Sequence, residues 1–128
     1  MRLLLDTQVF LWWNEADPRL SRRIRQLLSD SENSLYLSVA SAWEMILKVQ
    51  SGKLGLPAAT AVYIPARLKH YGIEALPVTL EHVLAASTLP SYHRDPFDRM
   101  LVAQAQVERL PIVTHDPQVG RYAVETIW

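Results

Sequence analysis

The chain contains no cysteine. Disulfide stapling and thiolate metal sites are thereby excluded, and a reducing compartment, the cytoplasm, is the expected setting. Glycine is scarce, with four in 128 residues. None of them builds a G-x-x-x-x-G-K-[ST] phosphate loop or a G-x-S-x-G nucleophile elbow, which argues against triphosphate binding and serine-nucleophile chemistry. No apolar run approaches the ~20 residues of a membrane span. Strand-like sequence begins directly after Met1-Arg2, so no signal peptide is expected either. Charge of one sign is missing too: 13 Lys and Arg balance 13 Asp and Glu, for a formal net charge of zero. Bulk electrostatic grip on nucleic acid is disfavoured by that balance. An enzyme touching nucleic acid through a local basic rim remains compatible with it. Repeats, low-complexity stretches and flexible linkers are absent, and the length suits one domain, residues 1–128.

The pattern that is present alternates strand and helix. Arg2–Asp6 is an apolar strand of the type buried on both faces of a parallel sheet. Thr7–Trp13 reads as a short helix, and Ser21–Ser29 as a second, with Leu20, Ile24, Leu27 and Leu28 on one side. Leu35–Val39 is the second strand, followed by a helix over Ser41–Gln50 that Ser51-Gly52 ends. Thr60–His70 forms a helix and Ile73–Val78 a third strand, whose Pro77 marks an edge or a strand end. Leu80–Thr88 is helical with Thr79 as N-cap, and Asp95–Leu110 is the best-patterned helix of the chain. Pro111–Thr114 is the fourth strand, and Val124–Trp128 a candidate short fifth. This alternation predicts an α/β sandwich with right-handed crossovers around a four- to five-stranded, mainly parallel sheet.

Four acids occupy telling positions in that pattern. Asp6 ends the first strand and Glu44 lies one turn into the helix after the second. Asp98 opens the late helix, and Asp116 follows Ile112-Val113-Thr114. The carboxyl ends of parallel strands line one edge of the sheet, where ligands bind. Four carboxylates gathered there repel one another and raise one another's pKa. A hard divalent cation with oxygen ligands removes that cost, which points to one or two Mg²⁺ or Mn²⁺ ions and to phosphodiester hydrolysis. Each acid also has a purely structural use. Asp6 can cap the first helix, Asp95-Pro96-Phe97-Asp98 resembles a capping arrangement with Asp95 at N-cap, and Asp116-Pro117 can form an Asx turn. Glu44 is hardest to explain that way, because its neighbours Trp43, Met45, Ile46 and Leu47 are apolar. His93 and His115 lack i, i+4 ligand spacing, and are read as substrate contacts or surface rather than as metal ligands.

These residues resemble the PIN-domain ribonucleases. The resemblance rests on Leu-Leu-Asp6-Thr7, Ser41-Ala42-Trp43-Glu44, Asp95-Pro96-Phe97-Asp98-Arg99 with Ala103 and Ala105, and Thr114-His115-Asp116. In order and spacing they cover nearly the whole chain, and are most similar to the small VapC-type toxins of toxin–antitoxin pairs. The resemblance implies a PIN-like three-layer sandwich and a metal-dependent endoribonuclease. Asp6, Glu44, Asp98 and Asp116 would be its catalytic and metal-binding acids, with Thr7 and Thr114 as supporting hydroxyls. Asp95 is left as the helix cap or a secondary ligand. It further implies a homodimer and a cognate antitoxin that holds the protein inactive.

Arg99, Lys48 and Arg94, with Lys53 and the Arg22, Arg23 and Arg25 cluster, are candidates for a positive rim facing RNA phosphates. Single-stranded or loop RNA is the expected target, since splayed bases are read without entering a duplex groove. Two other readings compete: a non-catalytic binding module on the same fold, and an aspartate-based phosphotransferase. The latter needs a second acid two residues after Asp6, where Gln8 stands. Finally, Val9-Phe10-Leu11-Trp12-Trp13 is apolar around the whole of a short helix. At least one of its aromatics is expected to be exposed in the isolated chain, and so to mark a partner surface.

Overall fold

Strand β1 (Arg2–Leu5) explains the layering of the whole molecule. Its side chains alternate between faces, and Leu3, Leu4 and Leu5 are all fully buried. Leu3 and Leu5 join one apolar cluster with Val9, Phe10, Ile24, Met45 and Ile64. Leu4 joins the other, with Leu101, Val102, Ala105 and Ile112. A strand covered on both faces needs a layer of helices on each side. Each of the three leucines contributes roughly 1.5–3 kcal/mol by leaving water.

In the computed structural model, which describes residues 1–128, the remaining elements follow in chain order. They are α1 (Thr7–Asn14), α2 (Arg22–Ser29), β2 (Ser34–Ser38), α3 (Val39–Gln50), α4 (Thr60–Tyr71), β3 (Glu74–Leu76), α5 (Leu80–Ser87), α6 (Pro96–Glu108), β4 (Ile112–Val113), a 3₁₀ turn (Val119–Arg121) and β5 (Thr126–Ile127). The five strands form one sheet in the order β3-β2-β1-β4-β5. Every pairing is parallel, with Leu3 opposite Leu35 and Leu5 opposite Val113. The expected α/β sandwich is therefore present, with all five strands parallel. No helix is long and apolar enough to cross a membrane.

Differences at element ends have local causes. The second strand stops at Ser38 rather than Val39, because the Ser38 hydroxyl accepts the Ala40 N–H at 3.0 Å and starts α3 without a loop. The third strand ends at Leu76, ahead of Pro77, and lies at the sheet edge. Helix α6 stops at Glu108 instead of Leu110, because Arg109 adopts a left-handed conformation (φ 56°) and closes the helix.

The expectation for α1 is overturned. Phe10 is fully buried, Trp12 is 4% exposed, and Trp13 is half-buried, stacked on Tyr71 at 3.8 Å. The helix is enclosed rather than laid on a surface. Tyr71 of α4 covers one side, while Arg19, His115 and Trp128 cover Trp12. The exposed apolar side chains lie elsewhere, with Trp43 on α3 59% exposed and Leu84 on α5 likewise 59% exposed.

Candidate metal centre

Each acid is placed by an element boundary. Asp6 leaves β1 and caps α1: its Oδ1 accepts the Gln8 N–H at 3.1 Å. Its Oδ2 accepts the Thr114 hydroxyl, beyond β4 on the neighbouring strand, at 2.6 Å. Burial pushes the Asp6 carboxyl above the usual carboxylate range. The bonds from Thr114 and Gln8 oppose that rise, and the nearby Glu44 and Asp116 add to it. Glu44 is buried on α3, one turn below the end of β2. Lys48, one turn further on, meets its Oε2 at 3.0 Å, while Oε1 is buried with no partner. Burial pulls the Lys48 ammonium down, but the Glu44 bond and the fields of Glu44, Asp95 and Asp98 outweigh it, so its pKa is raised.

Asp95 and Asp98 divide their work at the start of α6. Asp95 Oδ1 accepts the N–H groups of Phe97 (2.8 Å) and Asp98 (3.1 Å), as an N-cap does. Asp98, free of that duty, turns into the cleft. Its carboxyl is pushed up to about 7, by burial first and then by the fields of Asp6, Asp95 and Glu44, with His93 opposing. Asp116 follows β4, where its N–H donates to Thr114 Oγ1 at 3.0 Å and its Oδ1 accepts the Gln118 N–H at 2.8 Å. This is the Asx turn expected at Asp116-Pro117, and it leaves Oδ2 facing the other acids.

One cleft of about 410 Å³ is lined by Asp6, Thr7, Glu44, Lys48, Asp95, Asp98, His115 and Asp116 among others. The four acids singled out by sequence thus meet at the carboxyl edge of the sheet. The rim residues do not all join them. Lys48 lines the cleft, but Arg94 is exposed and outside its lining. Arg99 is consumed internally: its guanidinium donates to the carbonyls of Ala86, Leu89, Pro90 and His93 and lies 3.3 Å from the Tyr122 hydroxyl. It therefore cannot serve as a phosphate contact. Arg25 is likewise spent on the carbonyls of Leu20 and Asp17.

His93 is the residue that sequence reasoning undervalued. Its ring enters the cluster rather than lying on the surface, with Nε2 3.0 Å from both Asp98 Oδ2 and Asp116 Oδ2. Nδ1 accepts the Asp95 N–H at 3.2 Å, a pattern that assigns the ring proton to Nε2. His93, Asp98 and Asp116 each offer a ligand atom within 4.8 Å of the others. No spacing rule signals this, because His93 arrives on an irregular loop whose carbonyls Arg99 gathers.

The donor set suits a hard cation. It consists of carboxylate oxygens, with Thr7 Oγ1 and Glu44 Oε1 buried and unpartnered. A carboxyl held near 7 and buried oxygens lacking donors are what a cation would relieve. The class thus defined is a parallel α/β domain with an acidic, cation-suited cleft at the carboxyl edge of its sheet.

Comparison with known proteins agrees with that class. The PIN domain family matches residues 3–125, and the chain belongs to that family. Ribonuclease VapC16 of Mycobacterium tuberculosis is 38% identical over 69 residues, which is 51% of this chain and 49% of that protein. The match thus spans about half the length of this curated relative. Among solved structures, the fold is similar to that of DNA-bound VapBC from Salmonella typhimurium (TM-score 0.72, 15% identity, 99% of this chain and 97% of that one). It is also similar to VapBC2 from Rickettsia felis bound to a promoter DNA fragment (TM-score 0.71, 14% identity, 99% and 98%). A third is FitAcB from Neisseria gonorrhoeae (TM-score 0.68, 21% identity, 98% and 96%).

Proposed function

We propose that residues 1–128 form one nuclease domain, a divalent-metal-dependent endoribonuclease that serves as the toxin of a toxin–antitoxin pair. The observation that carries the reading is the convergence of Asp6, Glu44, Asp98 and Asp116 on one cleft from four separate chain segments. Capping accounts for Asp6 and Asp95, but Glu44 and Asp98 lie inside α3 and α6 and cap neither helix. The family membership and the ribonuclease relative support the same activity.

In this reading Asp6, Glu44, Asp98 and Asp116 hold one or two Mg²⁺ or Mn²⁺ ions. An ion held there would offset carboxylate repulsion and would supply Lewis-acid activation of a water and of the leaving oxygen of a phosphodiester. The protein's own groups do the rest. Thr114 donates to Asp6 and receives the Asp116 N–H, so one hydroxyl fixes two acids. Thr7 contributes a free hydroxyl, and Lys48 orients Glu44 through its Oε2. Asp95 holds the end of α6 so that Asp98 faces inward. A dead scaffold or a phosphotransferase is less well supported: every acid of the cluster is present, and Gln8 stands where the second phosphotransferase acid belongs.

The partners proposed are RNA, an antitoxin protein and a second copy of the chain, within the cytoplasm. The solved relatives described as VapBC complexes support an antitoxin. A half-open apolar groove between α3, α5 and α6, lined by Val39, Trp43, Val83, Phe97 and Met100, offers a surface for the second copy. The deciding experiment is incubation of purified protein with cellular RNA in Mn²⁺, with the cut sites mapped. Cleavage abolished by EDTA and by Asp98→Asn is the expected result. Intact RNA under all conditions would sink the reading.

A further inference from the structure

The cleft has few positive groups with which to hold an RNA. Its lining carries five acids and one lysine, and Lys48 is already paired with Glu44. Beyond the cations themselves, substrate grip in the cleft must therefore come largely from something other than side-chain phosphate contacts. The parallel pairing of β4 with β5 supplies a candidate. Because Thr114 N–H donates to the Ile127 carbonyl at 3.1 Å, the residues that follow both strands emerge at the same edge of the sheet. His115 and Trp128 consequently meet, with ring centroids 5.2 Å apart. His115 is exposed and also lines the acidic cleft. Trp128 is 38% exposed. Beneath them lies buried Trp12, 4.9 Å from the His115 ring and 6.0 Å from Trp128.

We propose that His115 and Trp128 form a stacking platform for an unpaired RNA base next to the scissile position. The inference rests on the ribonuclease reading and adds a substrate-binding element to it. Aromatic faces accept any base, and splayed single strands are the form of RNA that offers one. Stacking is little screened by salt, which suits a chain with no net charge. The platform sits on buried Trp12.

Trp128→Leu keeps apolar packing on Trp12 but removes the stacking face. With a short single-stranded RNA and Mn²⁺, it should raise KM about tenfold to a hundredfold, the range of one base stack, with kcat nearly unchanged. Trp128→Phe should stay close to the parent. His115→Ala, at an exposed position, should raise KM in the same sense, and decides the matter if Trp128→Leu folds poorly. In EDTA, where no cleavage is expected, the same RNA should quench the fluorescence of the parent protein saturably, and that of Trp128→Leu far less. Quenching without any cleavage in metal would keep the platform and fell the nuclease reading. An unchanged KM in both Trp128→Leu and His115→Ala overturns the platform. So does an unchanged KM with altered elution on size exclusion, which would make the patch a protein contact.

Discussion

Asp98→Asn separates the cost of the acidic cleft from its use. The Asp98 carboxyl stands at about 7 against an ordinary 3.8. The folded protein therefore binds this proton more tightly than the unfolded chain does. Below about pH 4 both states are protonated and there is no penalty. Between pH 4 and 7 the unfolded chain ionises first, and stability falls as pH rises; above 7 the full penalty is present. A shift of about three units at 1.36 kcal/mol each sets an upper limit near 4 kcal/mol. Asparagine removes that penalty but also a charge favourable to the N-terminus of α6, worth about 0.3–1 kcal/mol. Its side-chain oxygen still accepts the His93 Nε2–H. In EDTA at pH 8 the variant should thus be more stable than the parent by about 1–3 kcal/mol, and near pH 4 no more stable. Denaturant melts across this range measure both points. Saturating Mn²⁺ should narrow the gap at pH 8, because the parent gains about 2.7 kcal/mol at a hundredfold excess over Kd and the variant gains less. A variant less stable than the parent in EDTA at pH 8 would refute the view that Asp98 is held at a cost.

Asp95→Asn should leave cleavage largely intact, since asparagine caps a helix as well as aspartate, whereas Asp95→Ala should cost about 1 kcal/mol in denaturant melts. Arg99→Ala should destabilise the protein by roughly 1–3 kcal/mol, because several partly buried carbonyls lose a charged donor. Arg99→Lys should rescue little of this, as an ammonium lacks the planar fork. Trp43→Glu should weaken self-association on size exclusion while leaving the melting temperature within a few degrees, because the indole is 59% exposed.

Much of this was legible in the sequence because it is local. The run Leu3-Leu4-Leu5 announces a strand buried on both faces, and strand-to-helix alternation fixes which ends meet. The acids at those ends could therefore be named before their distances were known. Pro96 at the first helical position favoured Asp95 as the cap over Asp98, while a ligand role for Asp95 stayed open in the sequence. What was illegible depends on tertiary context. Arg99 looked like a phosphate contact, yet a coil of four inward-facing carbonyls claims it. The neighbours of α1 are far away in sequence, Tyr71 and Trp128, so its enclosure had no local sign. His93 reaches the acids through an aperiodic loop, held by its N–H donating to the Tyr122 hydroxyl at 2.9 Å.

The hydrogen bond from Thr114 to Asp6 joins residues 108 positions apart. β1 is synthesised well ahead of its partner β4, and Asp116 follows β4. A nascent chain that has not yet reached Ile112 lacks both the neighbour that completes β1 and the hydroxyl that orients Asp6. For an enzyme proposed to cut RNA, its own message and ribosome lie within reach throughout translation. The winding of the chain acts as a timer: the cleft is assembled only once β4 and Asp116 have been made.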